Sequence, residues 1–172
     1  SSPVDFGNTF RLHSKPDAQH TIYLDFDGHI TENTGWNDGE PIESPAYDTD
    51  NNVNSFSDSE KEEIQYIWQG VAEDFAPFNV NITTEEPDIE DLRNTGNGDG
   101  RWGVRVVLTQ DDDTQISPGT GGIAFINSFN DDIDTPTFVF NQGEVFAADT
   151  ASHEVGHVLG LAHDGTVATD SS

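Results

Sequence analysis

The alternation of apolar and polar residues along the chain predicts five β-strands. Runs of β-branched and aromatic residues bounded by turn residues favour strands at residues 20–26, 79–84, 104–109, 122–129 and 137–141. The run at 104–109 is nearly all apolar, which is typical of a strand at the centre of a sheet. Residues 33–56 are rich in Asn, Asp, Gly, Ser and Pro, so we expect a long surface loop there.

Two helices complete the pattern. The first begins at a capping box formed by Ser57 and Glu60, continues with apolar residues at helical spacing as far as Phe75, and ends before Pro77. The second is predicted at residues 145–159. Strands that alternate with helices indicate an α/β fold with helices packed on a sheet. The length of 172 residues and the lack of internal repeats favour one domain.

The composition excludes several classes of function. The chain has 33 acidic and 6 basic residues and a formal net charge of −27, so it would be repelled by nucleic acid and by anionic membrane surfaces. No apolar run approaches the length of about 20 residues that a membrane span needs. The absence of Cys excludes disulfides and a thiolate nucleophile. An Asp-rich chain of this charge is typical of a secreted, extracellular protein from saline surroundings.

The chemistry is concentrated in the second predicted helix. His153 and His157 are four residues apart, which places them about 40° apart on one helix face, one turn along. Their ring nitrogens can therefore meet a single ion at about 2.0–2.1 Å. Glu154 lies roughly 100° round the helix from His153, where its carboxylate can reach a water on the ion rather than the ion itself.

A third histidine follows after a predicted turn. His163 would lie roughly 15 Å along the axis from His153 if the helix continued, which is too far to share an ion. Gly160 can end the helix in a left-handed conformation, and His163 can then fold back as a third ligand. Three histidines leave one position open for water, as in catalytic rather than structural zinc sites.

These residues resemble the pattern of the metzincin zinc endopeptidases, His-Glu-x-x-His-x-x-Gly-x-x-His, with every required position filled. Asp164 is similar to the adamalysin-type variant, and residues 20–29 and 72–87 are similar to segments of secreted bacterial members. The resemblance implies a metzincin-like N-terminal subdomain, with a mixed, twisted five-stranded sheet, an antiparallel edge strand, a backing helix and an active-site helix. It also implies that His153, His157 and His163 bind Zn²⁺ and that Glu154 is the general base.

The resemblance implies a substrate-binding segment as well. Gly122, Ile123, Ala124 and Phe125 are similar to the antiparallel edge strand on which metzincins bind an extended polypeptide substrate. An edge strand has unpaired backbone groups, so a peptide can add to it as a further strand.

Metzincins also carry a Met-containing turn after the third histidine. The 172 residues contain no Met and begin at Ser1, so we expect a processed segment in which this C-terminal subdomain is absent. In that case Leu159, Leu161 and Val167 would be incompletely buried. The chain's own C-terminal segment is then an expected partner.

Structural Ca²⁺ is a second candidate cofactor. Asp48, Asp50 and Asn52 begin like a calcium loop, but Val53 and Ser59 stand where an EF-hand needs Gly and Glu, so we interpret this segment as a solvated loop. Acidic residues at 111–113 and 131–134 flank the edge strand, near which metzincins often bind calcium. No calcium ligands are assigned, and Asp25 and Asp27 either contribute to such a site or cap a strand.

Two alternatives remain open. A zinc amidase with a different substrate would need the same residues. An acidic calcium-binding adhesion or interaction module would bind zinc without catalysis. Replacing Glu154 distinguishes the module from the enzymes, because only an enzyme depends on a general base.

Overall fold

The strands that the structure describes form a mixed sheet and a separate antiparallel pair. The structure is a computed structural model and describes residues 5–34, 36, 40–96, 98–109, 122–123, 133–140 and 144–158. The strands are β1 (His20–Asp25), β2 (His29–Thr31), β3 (Ile42–Ser44), β4 (Val80–Thr83), β5 (Trp102–Thr109), β6 (Gly122–Ile123) and β7 (Thr137–Phe140). The helices are α1 (Asp58–Asp74) and α2 (Glu144–Val158), with 3-10 turns at Phe6–Arg11 and Ile89–Leu92.

The sheet has the order β4-β1-β5-β7-β6. Its first four strands are parallel, and β6 pairs antiparallel with β7 at the edge. The mixed α/β architecture is therefore as predicted, and the apolar strand β5 is central. The predicted strand 122–129 is described only at Gly122–Ile123, and its remainder lies outside the described residues.

Helix α1 begins at the predicted capping box. The Glu60 backbone N–H donates to Ser57 Oγ at 3.2 Å, and the Ser57 N–H donates to Glu60 Oε2 at 2.8 Å. These two bonds satisfy donors that would otherwise be unpaired at the helix start. The apolar stripe of Ile64, Ile67 and Val71 is fully buried against the sheet, so α1 is the backing helix.

Helix α2 packs on the same face of the sheet as α1. Its small and β-branched residues join the core formed with β1, β4, β5 and β7: Ala147, Ala148, Ala151, Val155 and Val158. The two helices approach closely at Gly70, where a Cβ would lie 3.2 Å from that of Ala148. Among the described residues, neither helix has the length and apolar content needed to cross a bilayer.

The antiparallel pair β2–β3 lies outside the main sheet, and the sequence did not predict it. His29 pairs with Ser44 across the two strands, and Tyr47, which follows β3, is buried in the core that includes α1, with its N–H donating to Phe26 O. Gly28 makes the connection possible, because its φ is +88° and a Cβ would lie 2.9 Å from Ser44 O. The expectation of a surface loop throughout 33–56 is therefore wrong for residues 42–44, which form β3, and for the buried residues Tyr47 and Asp48.

Candidate functional site

The two histidines of α2 converge on one point. His153 Nε2 and His157 Nε2 are 3.0 Å apart, and the two rings are perpendicular with centroids 4.6 Å apart. His153 is exposed and His157 is half-buried. The helix spacing predicted this juxtaposition, and it arises because residues four apart lie one above the other on a helix.

This geometry is suited to a metal ion. Two nitrogens bound to one tetrahedral zinc at 2.0–2.1 Å are about 3.4 Å apart. The separation of 3.0 Å between the two Nε2 atoms is close to this value, so a small rotation of either ring completes the fit. Imidazole is a ligand that suits zinc, and a pair held on a rigid helix is already oriented for binding.

Glu154 occupies a different side of α2 from the histidines. Glu154 is only 8% exposed, whereas its neighbour His153 is exposed. A rotation of about 100° per residue turns Glu154 away from the histidine face and towards β6, which packs against α2. The Glu154 side chain therefore lies between the α2 backbone and the edge strand β6.

The other predicted site residues are only partly described. Gly122 pairs with Val139, and Ile123 pairs with Phe138, so the segment has the predicted antiparallel pairing at the sheet edge. Ala124, Phe125 and His163 lie outside the described residues, as do Gly160 and Asp164. Leu159, Leu161 and Val167 lie there too, so the expectation of incomplete burial stays a prediction.

A buried charge cluster lies on the face of the sheet that points away from α1 and α2, and it was not predicted from the sequence. Arg105 in β5 donates from Nη1 to Asp25 Oδ2 at 2.6 Å and from Nε to Asp134 Oδ2 at 2.9 Å. Its guanidinium also lies 5.2 Å from the centre of the Tyr23 ring. One signal was available, since Arg105 is one of only 6 basic residues and interrupts an apolar strand.

Burial shifts the acid–base behaviour of this cluster. Burial raises the pKa of Asp25 to about 6, although the nearby Arg105 charge lowers it. Burial likewise raises the pKa of Asp134. His29 lies beside Asp25, with 3.9 Å between its Nδ1 and Asp25 Oδ2, and burial together with the Arg105 charge lowers its pKa to about 4. Asp25 is thus a structural partner of Arg105.

A second acidic group lies at the start of α1. Asp48, Asp50 and Glu60 each offer a carboxylate oxygen within 4.8 Å of the others. These carboxylates already accept backbone N–H groups: Asp48 Oδ1 from Asp50 and Asn52, and Glu60 Oε1 from Thr49. The segment is an ordered cap on α1, with Asp48 buried, so the interpretation as a solvated loop is wrong for Asp48.

The comparisons with known proteins bear on the same part of the chain. The model of the family described as Metallo-peptidase family M12B Reprolysin-like matches residues 77–164. This range is 88 of the 172 residues, just over half, and runs from before β4 through α2 to the last predicted zinc ligand. A search of curated proteins finds no match.

Proposed function

This chain belongs to the reprolysin-like metallopeptidases of family M12B, and from that premise we propose that it is a zinc-dependent endopeptidase. His153, His157 and His163 would bind the zinc, and Glu154 would be the general base. The convergence of His153 Nε2 and His157 Nε2 to 3.0 Å on α2 is the observation that carries this proposal.

The mechanism assigns a separate task to each residue. Zinc, when bound, lowers the pKa of a coordinated water and polarises the scissile carbonyl. The Glu154 carboxylate accepts a proton from the attacking water as its oxygen bonds to the carbonyl carbon. The same carboxyl group then donates that proton to the amine nitrogen as the C–N bond breaks. The histidines take part as neutral imidazoles, which leaves the carboxylate as the proton carrier.

We propose that substrate binds along the edge of the sheet. The antiparallel pairing of Gly122 and Ile123 with β7 supports this orientation, because one side of β6 faces β7 and the other, which pairs with none of the described strands, would accept an extended peptide. Ala124 and Phe125 would continue this strand as the fifth of a metzincin-type sheet. Glu154 packs beside β6, so its carboxylate would be close to the bound peptide.

Replacing Glu154 by Gln tests the general base. The zinc-loaded full-length E154Q variant should cleave an unfolded protein at least about 100-fold more slowly than wild type, with unchanged zinc content. The matched control is Glu62→Gln, the same chemical change at an exposed residue of α1. Equal activity of E154Q and wild type would reject Glu154 as the base.

Replacing His157 by Ala tests the metal site. Elemental analysis should find about one zinc per wild-type chain and much less in H157A, whereas His13→Ala should retain its zinc. Zinc bound without any peptidase activity in wild type would instead favour the acidic interaction module. The family match gives that alternative no support.

The domain organisation, the secretion and the calcium binding of this chain are also proposals. Residues 1–172 would form one catalytic unit, with a C-terminal Met-turn subdomain completing its substrate pocket. Secretion is supported by the net charge of −27 and by the family resemblance. Structural calcium rests on the resemblance, and Asp134, the acidic residue near the edge strand that the structure describes, is bound to Arg105.

A further inference from the structure

Gly122 lies where no side chain fits. A Cβ at this position would be 2.7 Å from Thr150 Cγ2, 2.9 Å from Glu154 Cγ and 3.1 Å from Phe138 O. Real Cβ atoms essentially never approach other heavy atoms within 3.0 Å. The edge strand therefore lies directly against the two α2 residues that face it, and one of these is the proposed general base.

We propose that Gly122 is a positioning residue for peptide hydrolysis, because its lack of a side chain lets β6 pack against the Glu154 methylenes and orient the carboxylate. This inference rests on the proposed function. It assigns to Gly122 a task beyond backbone pairing with substrate, since the contact is with the Glu154 side chain.

The neighbours of Gly122 differ in how easily they can move. Phe138 O belongs to β7, which holds β6 by the pairing of Gly122 with Val139. Thr150 is β-branched and has restricted rotamers. The Glu154 side chain has three rotatable bonds and yields most readily. A methyl group at residue 122 would thus change the Glu154 rotamer or move the strand, and either change displaces the carboxylate from the substrate.

Gly70, in α1, provides a matched comparison because it also packs closely against α2. A Cβ there would meet the Ala148 Cβ at 3.2 Å, on the side of α2 that faces α1, and no Glu154 atom is among its near neighbours. Gly70→Ala therefore adds a methyl group that packs against α2, as Gly122→Ala does, but without contact with the proposed base. A general sensitivity of α2 to crowding would affect both variants, whereas positioning of Glu154 affects Gly122→Ala alone.

Steady-state kinetics of the zinc-loaded chain test the inference. G122A should lower kcat by about tenfold or more and change KM by less than about twofold, because a displaced catalytic group slows chemistry more than binding. G70A should retain wild-type kcat. Thr150→Ser removes the methyl group at 2.7 Å, so the G122A/T150S double variant should regain part of the lost kcat, while T150S alone stays active.

Thermal unfolding of the metal-free proteins gives a readout independent of activity. G122A should melt at a lower temperature than wild type, and T150S should reverse part of that loss. Equal melting temperatures of wild type and G122A would overturn the packing contact. An unchanged kcat, or a raised KM at constant kcat, would overturn positioning of Glu154 while leaving the proposed function intact. A wild-type chain that loads zinc and cleaves nothing would overturn the proposed function itself.

Discussion

Replacing Arg105 by Met would leave two buried carboxylates without their cation. The side chain of Arg105 is 7% exposed, and those of its partners Asp25 and Asp134 are 1% and 11% exposed. Removing one partner of a buried ion pair costs about 3–5 kcal/mol, a large part of the 5–15 kcal/mol that stabilises a typical domain. Met keeps an unbranched stem of similar length, so the change is mainly electrostatic.

The cost should depend on pH, because Asp25 titrates near neutrality. Burial raises the Asp25 pKa to about 6 in the folded chain, and loss of the Arg105 charge raises it further. An acid with a raised folded pKa contributes stability that is complete below its unfolded pKa of about 3.8 and is lost as pH rises through the folded value. R105M should therefore lose most stability relative to wild type above pH 6, where Asp25 is ionised beside Arg105 in wild type, and less at pH 5, where Asp25 is protonated in both folded proteins.

Urea unfolding followed by Trp fluorescence at pH 7 and pH 5 measures both effects. The control is Arg93→Met, because Arg93 forms a more exposed pair with Glu90 at 2.6 Å and should contribute less than about 1 kcal/mol. If R105M is too unstable to study, R105M/D25N removes one buried charge and should recover part of the stability. Equal costs for R105M and R93M, or a cost that does not decrease at pH 5, would refute the reasoning.

Two further predictions concern the helix cap and the hairpin. Ser57→Ala should lower the free energy of unfolding by about 1 kcal/mol, because Ser57 Oγ accepts the Glu60 N–H. Thermal unfolding followed by circular dichroism measures this loss, with the exposed Ser59→Ala as the control. Equal losses in the two variants would contradict the role of the cap. His29 should titrate by NMR near pH 4, since burial and Arg105 lower its pKa. Stability from neutral His29 is present above about pH 6.5 and lost towards pH 4, with an upper bound of about 3 kcal/mol that solvent screening reduces. His29→Gln should therefore weaken this pH dependence. A titration midpoint near 6.5 would argue against burial of His29.

The elements with strong local signals were predictable from the sequence. The capping box of Ser57 and Glu60 and the apolar stripe that follows depend on contacts three or four residues apart, so α1 could be placed from its own residues. The hairpin β2–β3 could not, because its strands have three residues each and pair across a polar connection. Its stability comes from non-local contacts, such as Thr109 Oγ1 donating to Pro45 O at 2.7 Å.

The candidate site shows the same division. The juxtaposition of His153 and His157 follows from helix geometry alone, so their spacing was sufficient to predict it. The contact of Gly122 with Glu154 joins residues 32 positions apart and depends on how β6 packs against α2. Likewise, the partners of Arg105 come from β1 and from the segment before β7, and only the assembled sheet brings them together.

Helix α2 presents a different side to each of its neighbours. Residues four apart share a side, and the pairs are Ala151 and Val155 towards the sheet core, Ala148 and Ser152 towards α1, Thr150 and Glu154 towards β6, and His153 and His157 on the remaining side. A shift of one residue turns a side chain by about 100°. The offset between His153 and Glu154 therefore places the histidine side of α2 next to the side that packs against the edge strand. The spacing of the motif fixes the angle between the histidines and Glu154 around α2. The packing of the opposite side of α2 into the core then determines that Glu154 faces the edge strand.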